Sequence, residues 1–292
     1  MNQNTLKVRM LGGFTLEYKG KELVLDRNNV SKTTQLFQLL LLHTQNGGIS
    51  KAALIDALYG RAEVENKNGS LNNTLFRLRK QLKAAGLPES NYINISGGMC
   101  TWDPEIAVWV DVCEFENLVA LIRKEKRETD RLHLLMEAWK CYRGEFLPDM
   151  IGENWAAVEN IKCRDDYFMC TKELCKWLKA HERYENLHRV SHAAAKIYPF
   201  DEWQIWEIES LIGMSRYKEG LEVYKDTEKL DIGPILKNEV PVRIFPLQKD
   251  NNGDNNWLSM GMLATKNNPN DIKVNIRDVF ETIPDNVTKK DF

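Results

Sequence analysis

Between Ser70 and Leu82 the chain places side chains that could read a nucleic-acid groove opposite a stripe of leucines. Leu71, Leu75, Leu78 and Leu82 recur at intervals of three and four, so at about 100° per residue they stack on one face of a helix. The other side carries Asn73, Phe76, Arg77 and Lys80. In a major groove, Asn matches the donor and acceptor of an adenine edge and Arg the two acceptors of guanine, while Lys neutralises phosphate. Phe76 can offer only an apolar ring, to a thymine methyl or a sugar, or else pack within the fold. Arg79 lies on the flank of the stripe, within reach of a phosphate or of an acidic partner in the same domain. From Asn66 to Ala85 there are five basic residues (Lys67, Arg77, Arg79, Lys80, Lys83) and no acidic one. A solvated surface helix would carry the same residues, so the surrounding elements decide between the two readings.

Those elements are a small sheet, three helices and a hairpin. Leu6, Val8 and Met10 alternate with Lys7 and Arg9, Phe14, Leu16 and Tyr18 alternate with Thr15 and Glu17, and Lys19-Gly20-Lys21 turns the chain into Leu23-Val24-Leu25. This pattern predicts three short antiparallel strands. Ser31 caps a leucine-rich, centrally buried helix running to about Thr44, and Ser50 caps a second helix, Lys51–Tyr59. The basic helix spans 66–85 and stops at Gly86-Leu87-Pro88. Gly97-Gly98 joins two extended runs, Tyr92–Ser96 and Met99–Trp102, as a hairpin. The order within about 100 residues is that of a winged helix-turn-helix, with helix 66–85 as the recognition helix and the hairpin as the wing. Lys32 and Lys51 then sit at helix starts, where free backbone N–H groups favour a phosphate.

After Asp103-Pro104 the chain becomes helical and acidic, with helices expected near 111–126, 129–142, 153–180, 183–197, 202–213 and 216–230. Arg183, Tyr184, Val190, Lys196 and Ile197 are echoed 33 residues later by Arg216, Tyr217, Val223, Lys229 and Leu230. A period near 34 with two helices per unit suggests tetratricopeptide-like repeats. Trp139, Trp155, Trp177, Trp203 and Trp206 stand at helical spacing and are expected mostly in the core. The fold class is therefore mostly α: a winged-helix domain over 1–103, a repeat-like helical domain over 108–245, and over 246–292 a flexible tail or the start of a further region, with an apolar island at Trp257–Met260.

Charge follows the same division. The 292 residues carry a net −2, but residues 1–103 hold 13 Lys/Arg against 8 Asp/Glu, a net +5, leaving −7 for the rest. A basic front and an acidic rear is expected where only one domain meets DNA. The longest apolar run, Leu39–Leu42, is far too short to span a bilayer, and the N-terminus lacks the pattern of a secretory signal. The six cysteines form no Cys-x-x-Cys pair and are read as free thiols in a reducing cytoplasm, without zinc. No P-loop, nucleophile elbow, His-Glu-x-x-His or dinucleotide fingerprint is present, Gly47-Gly48-Ile49-Ser50-Lys51 is too short to cradle phosphates, and Asp165-Asp166 lacks a partner for acid–base work. The expectation is a protein that is not an enzyme and needs no metal or cofactor. The competing reading is a repeat-based adaptor that works through protein contacts without binding DNA.

The chain resembles the SARP-type transcriptional activators, which join an OmpR-type winged helix to a bacterial transcriptional activator domain. In the first domain the resemblance rests on Met10-Leu11-Gly12-Gly13-Phe14, Ser31-Lys32, Ile49-Ser50-Lys51 and Leu71 through Leu82 with Arg77-Leu78-Arg79-Lys80. In the second it rests on Val110-Asp111, Phe115, Tyr142-Arg143-Gly144-Glu145-Phe146-Leu147-Pro148, Trp155 and Pro199-Phe200-Asp201-Glu202. It implies an activator that binds double-stranded DNA as a homodimer or side by side on direct repeats, with a helical domain that meets a peptide or small-molecule effector. In OmpR-type domains the loop before the recognition helix touches RNA polymerase, so Arg61, Glu63 and Glu65 become candidate polymerase contacts. Three features depart from the pattern: the wing tip Ser96-Gly97-Gly98 lacks a basic residue, Phe76 replaces a polar or smaller residue, and Leu230–Pro234 follows the family only loosely.

Overall fold

The alternating start of the chain forms β1 (Leu6–Arg9), β2 (Thr15–Tyr18) and β3 (Lys21–Leu23), followed by α1 (Lys32–Leu42), β4 (Ile49–Ser50), α2 (Lys51–Tyr59), α3 (Lys67–Ala84), β5 (Ile93–Ser96) and β6 (Met99–Trp102). The computed structural model describes residues 4–26, 30–61, 63–229, 239–242 and 272–275. Two compact units result, Met1–Cys170 and Thr171–Phe292.

In the first unit α1 is the core. Leu36, Phe37, Leu39, Leu40 and Leu41 are all buried, and the Phe37 ring meets Phe14 at 6.4 Å and Trp102 at 5.5 Å. Ser31 caps the helix by accepting from the Thr34 N–H at 3.2 Å, as Ser50 does from Ala53 at 3.1 Å for α2. The wing hairpin closes on Gly97 and Gly98 at φ +56° and +79°, with Ser96 paired to Met99. Two consecutive residues at positive φ are what a two-residue hairpin loop of the right twist requires.

The sheet holds a strand the alternation did not indicate. β7 (Val108–Val110) pairs in parallel with β1 (Leu6 with Val108, Lys7 with Trp109, Val8 with Val110), giving the order β3-β2-β1-β7. From β7 the chain enters α4 (Asp111–Lys124), α5 (Glu128–Cys141) and the long α6 (Asn154–Ala180). Here the resemblance-bearing segments Met10–Phe14, Val110-Asp111 and Tyr142–Pro148 interlock. The Asp111 side chain, 0% exposed, accepts from the backbone N–H groups of Met10 (2.8 Å), Leu11 (3.1 Å) and Val112 (2.8 Å). Gly12 N–H donates to Glu145 O at 2.8 Å, and Leu147 N–H donates to Met10 O at 2.8 Å. A Cβ on Gly144 would lie 2.9 Å from Gly12 Cα, so only glycine admits this approach. Burial raises the Asp111 carboxyl to about 6, against the pull of its three backbone donors and of Arg9. The composition changes at residue 103, but the contacts run on through it: the winged helix, α4, α5 and the first part of α6 belong to one compact unit as far as Cys170.

The second unit contains the end of α6, α7 (Tyr184–Ile197), α8 (Trp203–Gly213) and α9 (Tyr217–Lys229). The 33-residue echo is a repeated turn. Glu182 and Ser215 both take positive φ, +55° and +60°. Arg183 N–H donates to Leu178 O and Arg216 N–H to Leu211 O, each at 2.8 Å, while Glu182 N–H reaches Lys179 O and Ser215 N–H reaches Ile212 O. Each is a Schellman ending that starts the next helix at the following tyrosine. Lys172–Glu202 (2.6 Å) and Lys179–Glu209 (2.8 Å) tie α6 to α8, and His192 meets Glu207 between α7 and α8 at 2.6 Å. Of the five tryptophans expected in the core only Trp203 is buried; Trp139, Trp155, Trp177 and Trp206 are half-buried. Beyond it, β8 (Glu239–Val242) and β9 (Ile272–Asn275) pair antiparallel. Leu230–Pro234, the Trp257–Met260 island and the remainder of the 246–292 segment lie outside the described residues.

Candidate nucleic-acid interface

The interface candidate is the solvent face of α3. Leu71, Thr74, Leu75, Leu78 and Leu82 are its buried residues, which fixes the rotation of the helix. Asn66 caps it by accepting from Gly69 N–H at 2.8 Å. The Tyr59 hydroxyl meets the Thr74 hydroxyl at 2.7 Å and ties α2 to α3, setting the angle of the helix-turn-helix. With the leucines inward, Asn73, Phe76, Arg77 and Lys80 are all exposed, together with Asn72. At about 100° per residue the four fan over an arc of about 100° in the order Phe76, Lys80, Asn73, Arg77. The side chains of Asn73, Arg77 and Lys80 make no hydrogen bond or ion pair to any described residue.

The other predicted cations have work inside the fold. Arg79 donates from Nε to Asn91 O at 3.1 Å and from an Nη to Ile93 O at 2.9 Å. It braces the recognition helix against the wing through two backbone carbonyls, where an acidic partner or a phosphate was expected. Lys32 donates to Glu153 at 3.1 Å and Gln35 at 3.0 Å. Arg61 reaches Gly152 O at 3.5 Å and the Asn154 side chain. Lys32 and Arg61 thus line a groove of about 940 Å³ between α2 and the start of α6, beside Glu153, Asn154 and Trp155. Lys83 is paired with Glu89. Glu63 and Glu65 are exposed in the loop before α3.

Lys51 stands at the first position of α2 and lines a shallow depression of about 500 Å³ with Lys67 and Asn68 from the start of α3. The pairing of Lys51 with Lys67 brings two cations to two neighbouring helix N-termini, a favourable place for phosphate. Lys67 was visible in the sequence as part of the basic run, but its position beside an Asn cap is what marks it. The wing tip, Ser96-Gly97-Gly98, is exposed and has no charge.

Comparison with known proteins bears on the second half of the chain first. Residues 110–234 match the family described as Bacterial transcriptional activator domain. The match opens at Val110, the last residue of β7, next to Asp111. A solved structure, Mycobacterium tuberculosis EmbR in complex with low affinity phosphopeptide, is similar in fold, with a TM-score of 0.54 and 17% identity over 77% of this chain and 59% of that one. The chain thus spans about three-fifths of the length of that protein, and at this identity the likeness is one of fold. No curated protein matches the sequence. The resemblance to SARP-type regulators is borne out by the activator-domain match together with the fold of a small N-terminal sheet region followed by helices. Activator domains of this kind belong to transcriptional regulation rather than to an enzyme family. Among the described residues no group of three or more His, Cys, Asp or Glu is placed to hold a metal ion, all six cysteines are unpaired, and no helix is long and apolar enough to cross a membrane.

Proposed function

We propose that this chain is a SARP-type transcriptional regulator that binds double-stranded DNA sequence-specifically, with α3 in the major groove. One observation carries the reading. On a helix anchored by its leucines, Asn73, Arg77 and Lys80 remain exposed and unpaired among the described residues, while Arg79, Lys83, Lys32 and Arg61 are engaged within the fold. Asn73 and Arg77, one turn apart, are assigned to base edges, Lys80 to phosphate, and Lys51 with Lys67 to phosphate at the helix N-termini.

The regulator acts in the cytoplasm as an activator, with DNA contact in residues 1–103 and effector contact in 108–245. A single recognition helix reads only a few base pairs, so two copies on a repeated site supply the specificity. Glu63 and Glu65 face solvent in the loop before α3 and are the polymerase contacts; Arg61, held by Gly152 and Asn154, positions that loop.

The test is selection of bound duplexes from a random library with the full chain, beside an Arg77→Ala/Lys80→Ala variant. Enrichment of a short repeated motif by the wild type, lost in the variant with its thermal unfolding unchanged, supports the proposal. A folded wild type that enriches nothing overturns it in favour of an adaptor that works through protein contacts.

A further inference from the structure

The α3 face holds one residue whose chemistry differs from the rest. Phe76 is 68% exposed. Among the described residues it makes no ring contact, whereas Phe14, Phe37, Tyr92 and Trp102 of the same domain all do. A ring this exposed is not buried in the fold. It stands at one edge of the exposed arc, about 40° from Lys80 and about 60° from Asn73 around the axis. The wing carries an exposed apolar group of its own. Arg79, less than one turn after Phe76, is bonded to the Ile93 carbonyl, and Ile95, two residues further along that strand, is 39% exposed.

In the major groove only one base-edge group is apolar, the 5-methyl of thymine. Resting on the DNA-binding reading above, we propose that Phe76 is a specificity-determining residue that reads a thymine methyl. The half-site then contains an A·T pair beside the bases met by Asn73 and Arg77, fixed by an apolar contact rather than by a hydrogen bond. Removing one methyl from that contact weakens binding about fourfold per half-site, the effect of withdrawing one buried methylene-sized group.

Two measurements on the full chain test this. Selection from a random duplex library is run with wild type and Phe76→Ala; the side chain is exposed, so thermal unfolding of the two is expected to coincide. The selected duplex is then titrated with thymine replaced by uracil, which removes only the methyl, at each position in turn. The expected result is one thymine per half-site whose preference disappears in Phe76→Ala, and whose replacement by uracil costs wild type about fourfold and the variant nothing. If wild type selects a motif and Phe76→Ala selects the same motif with equal strength at every thymine, the role of Phe76 is wrong while DNA reading by α3 stands. If wild type selects no motif, the DNA reading itself fails and this inference with it.

Discussion

Replacing Asp111 by Asn should change how the stability of the protein depends on pH. The carboxyl is 0% exposed and fixes the β1–β2 turn to the start of α4 through the N–H groups of Met10 and Leu11. Burial raises it from an ordinary 3.8 to about 6. Because the folded-state value is the higher one, the native protein takes up the proton before the unfolded chain does as pH falls. Stability from this group is therefore greatest at and below about pH 4 and declines as pH rises toward and through about 6. A shift of about two units corresponds to about 3 kcal/mol. The Asp111→Asn variant removes that slope. It also turns an NH2 group toward one backbone donor, and leaving such a donor unpaired costs about 1–3 kcal/mol at every pH. Urea unfolding of wild type and variant from pH 4 to pH 7 should give curves that differ by a pH-independent offset plus a change of about 3 kcal/mol across the range. Other titrating groups cancel in the difference. Parallel curves would refute the reasoning, because they would mean that the Asp111 carboxyl has the same proton affinity folded and unfolded.

Two further outcomes follow from the same geometry. Gly144→Ala sets a Cβ 2.9 Å from Gly12 Cα and is expected to cost about 1–3 kcal/mol in urea unfolding, as overpacking does; unchanged stability would show that the two segments do not approach this closely. Arg79→Lys keeps the charge but loses the fork that reaches the Asn91 and Ile93 carbonyls. It should lower stability by about 1–2 kcal/mol while leaving the salt dependence of DNA binding intact, whereas a phosphate contact by Arg79 would leave stability unchanged.

How much of this was legible depended on whether the partner lay nearby in sequence. The leucine stripe of α3, the Ser31 and Ser50 caps and the Gly97-Gly98 hairpin are local patterns, and the structure realises each of them. The 33-residue echo also marked a real feature, because the same turn is made twice at Glu182 and Ser215. β7 was missed because Val108-Trp109-Val110 is too short to declare itself and its partner β1 lies about a hundred residues upstream. The engagement of Lys32, Arg61 and Arg79 was hidden for related reasons. Lys32 and Arg61 bond residues 152–154, and Arg79 bonds backbone carbonyls, acceptors that every residue has and that leave no signature. Asp111 stood in a recognisable segment, but a carboxylate in a core only makes sense once its donors are seen around it. For Phe76 the sequence left packing within the fold open, and its exposure speaks against that reading.

If the free face of α3 holds DNA, duplex binding must respond to salt through the cations on that face. Using the selected duplex, the full chain and its Arg77→Ala and Lys80→Ala variants are titrated from about 50 to 200 mM salt. Wild-type affinity should fall steeply with salt, Lys80→Ala should weaken binding and lower the log–log slope by about 1, and Arg77→Ala should relax the preference for one base at a cost of about 1–3 kcal/mol. Affinities and slopes indistinguishable among the three proteins would contradict it, since the exposed Arg77 and Lys80 would then have no part in holding DNA.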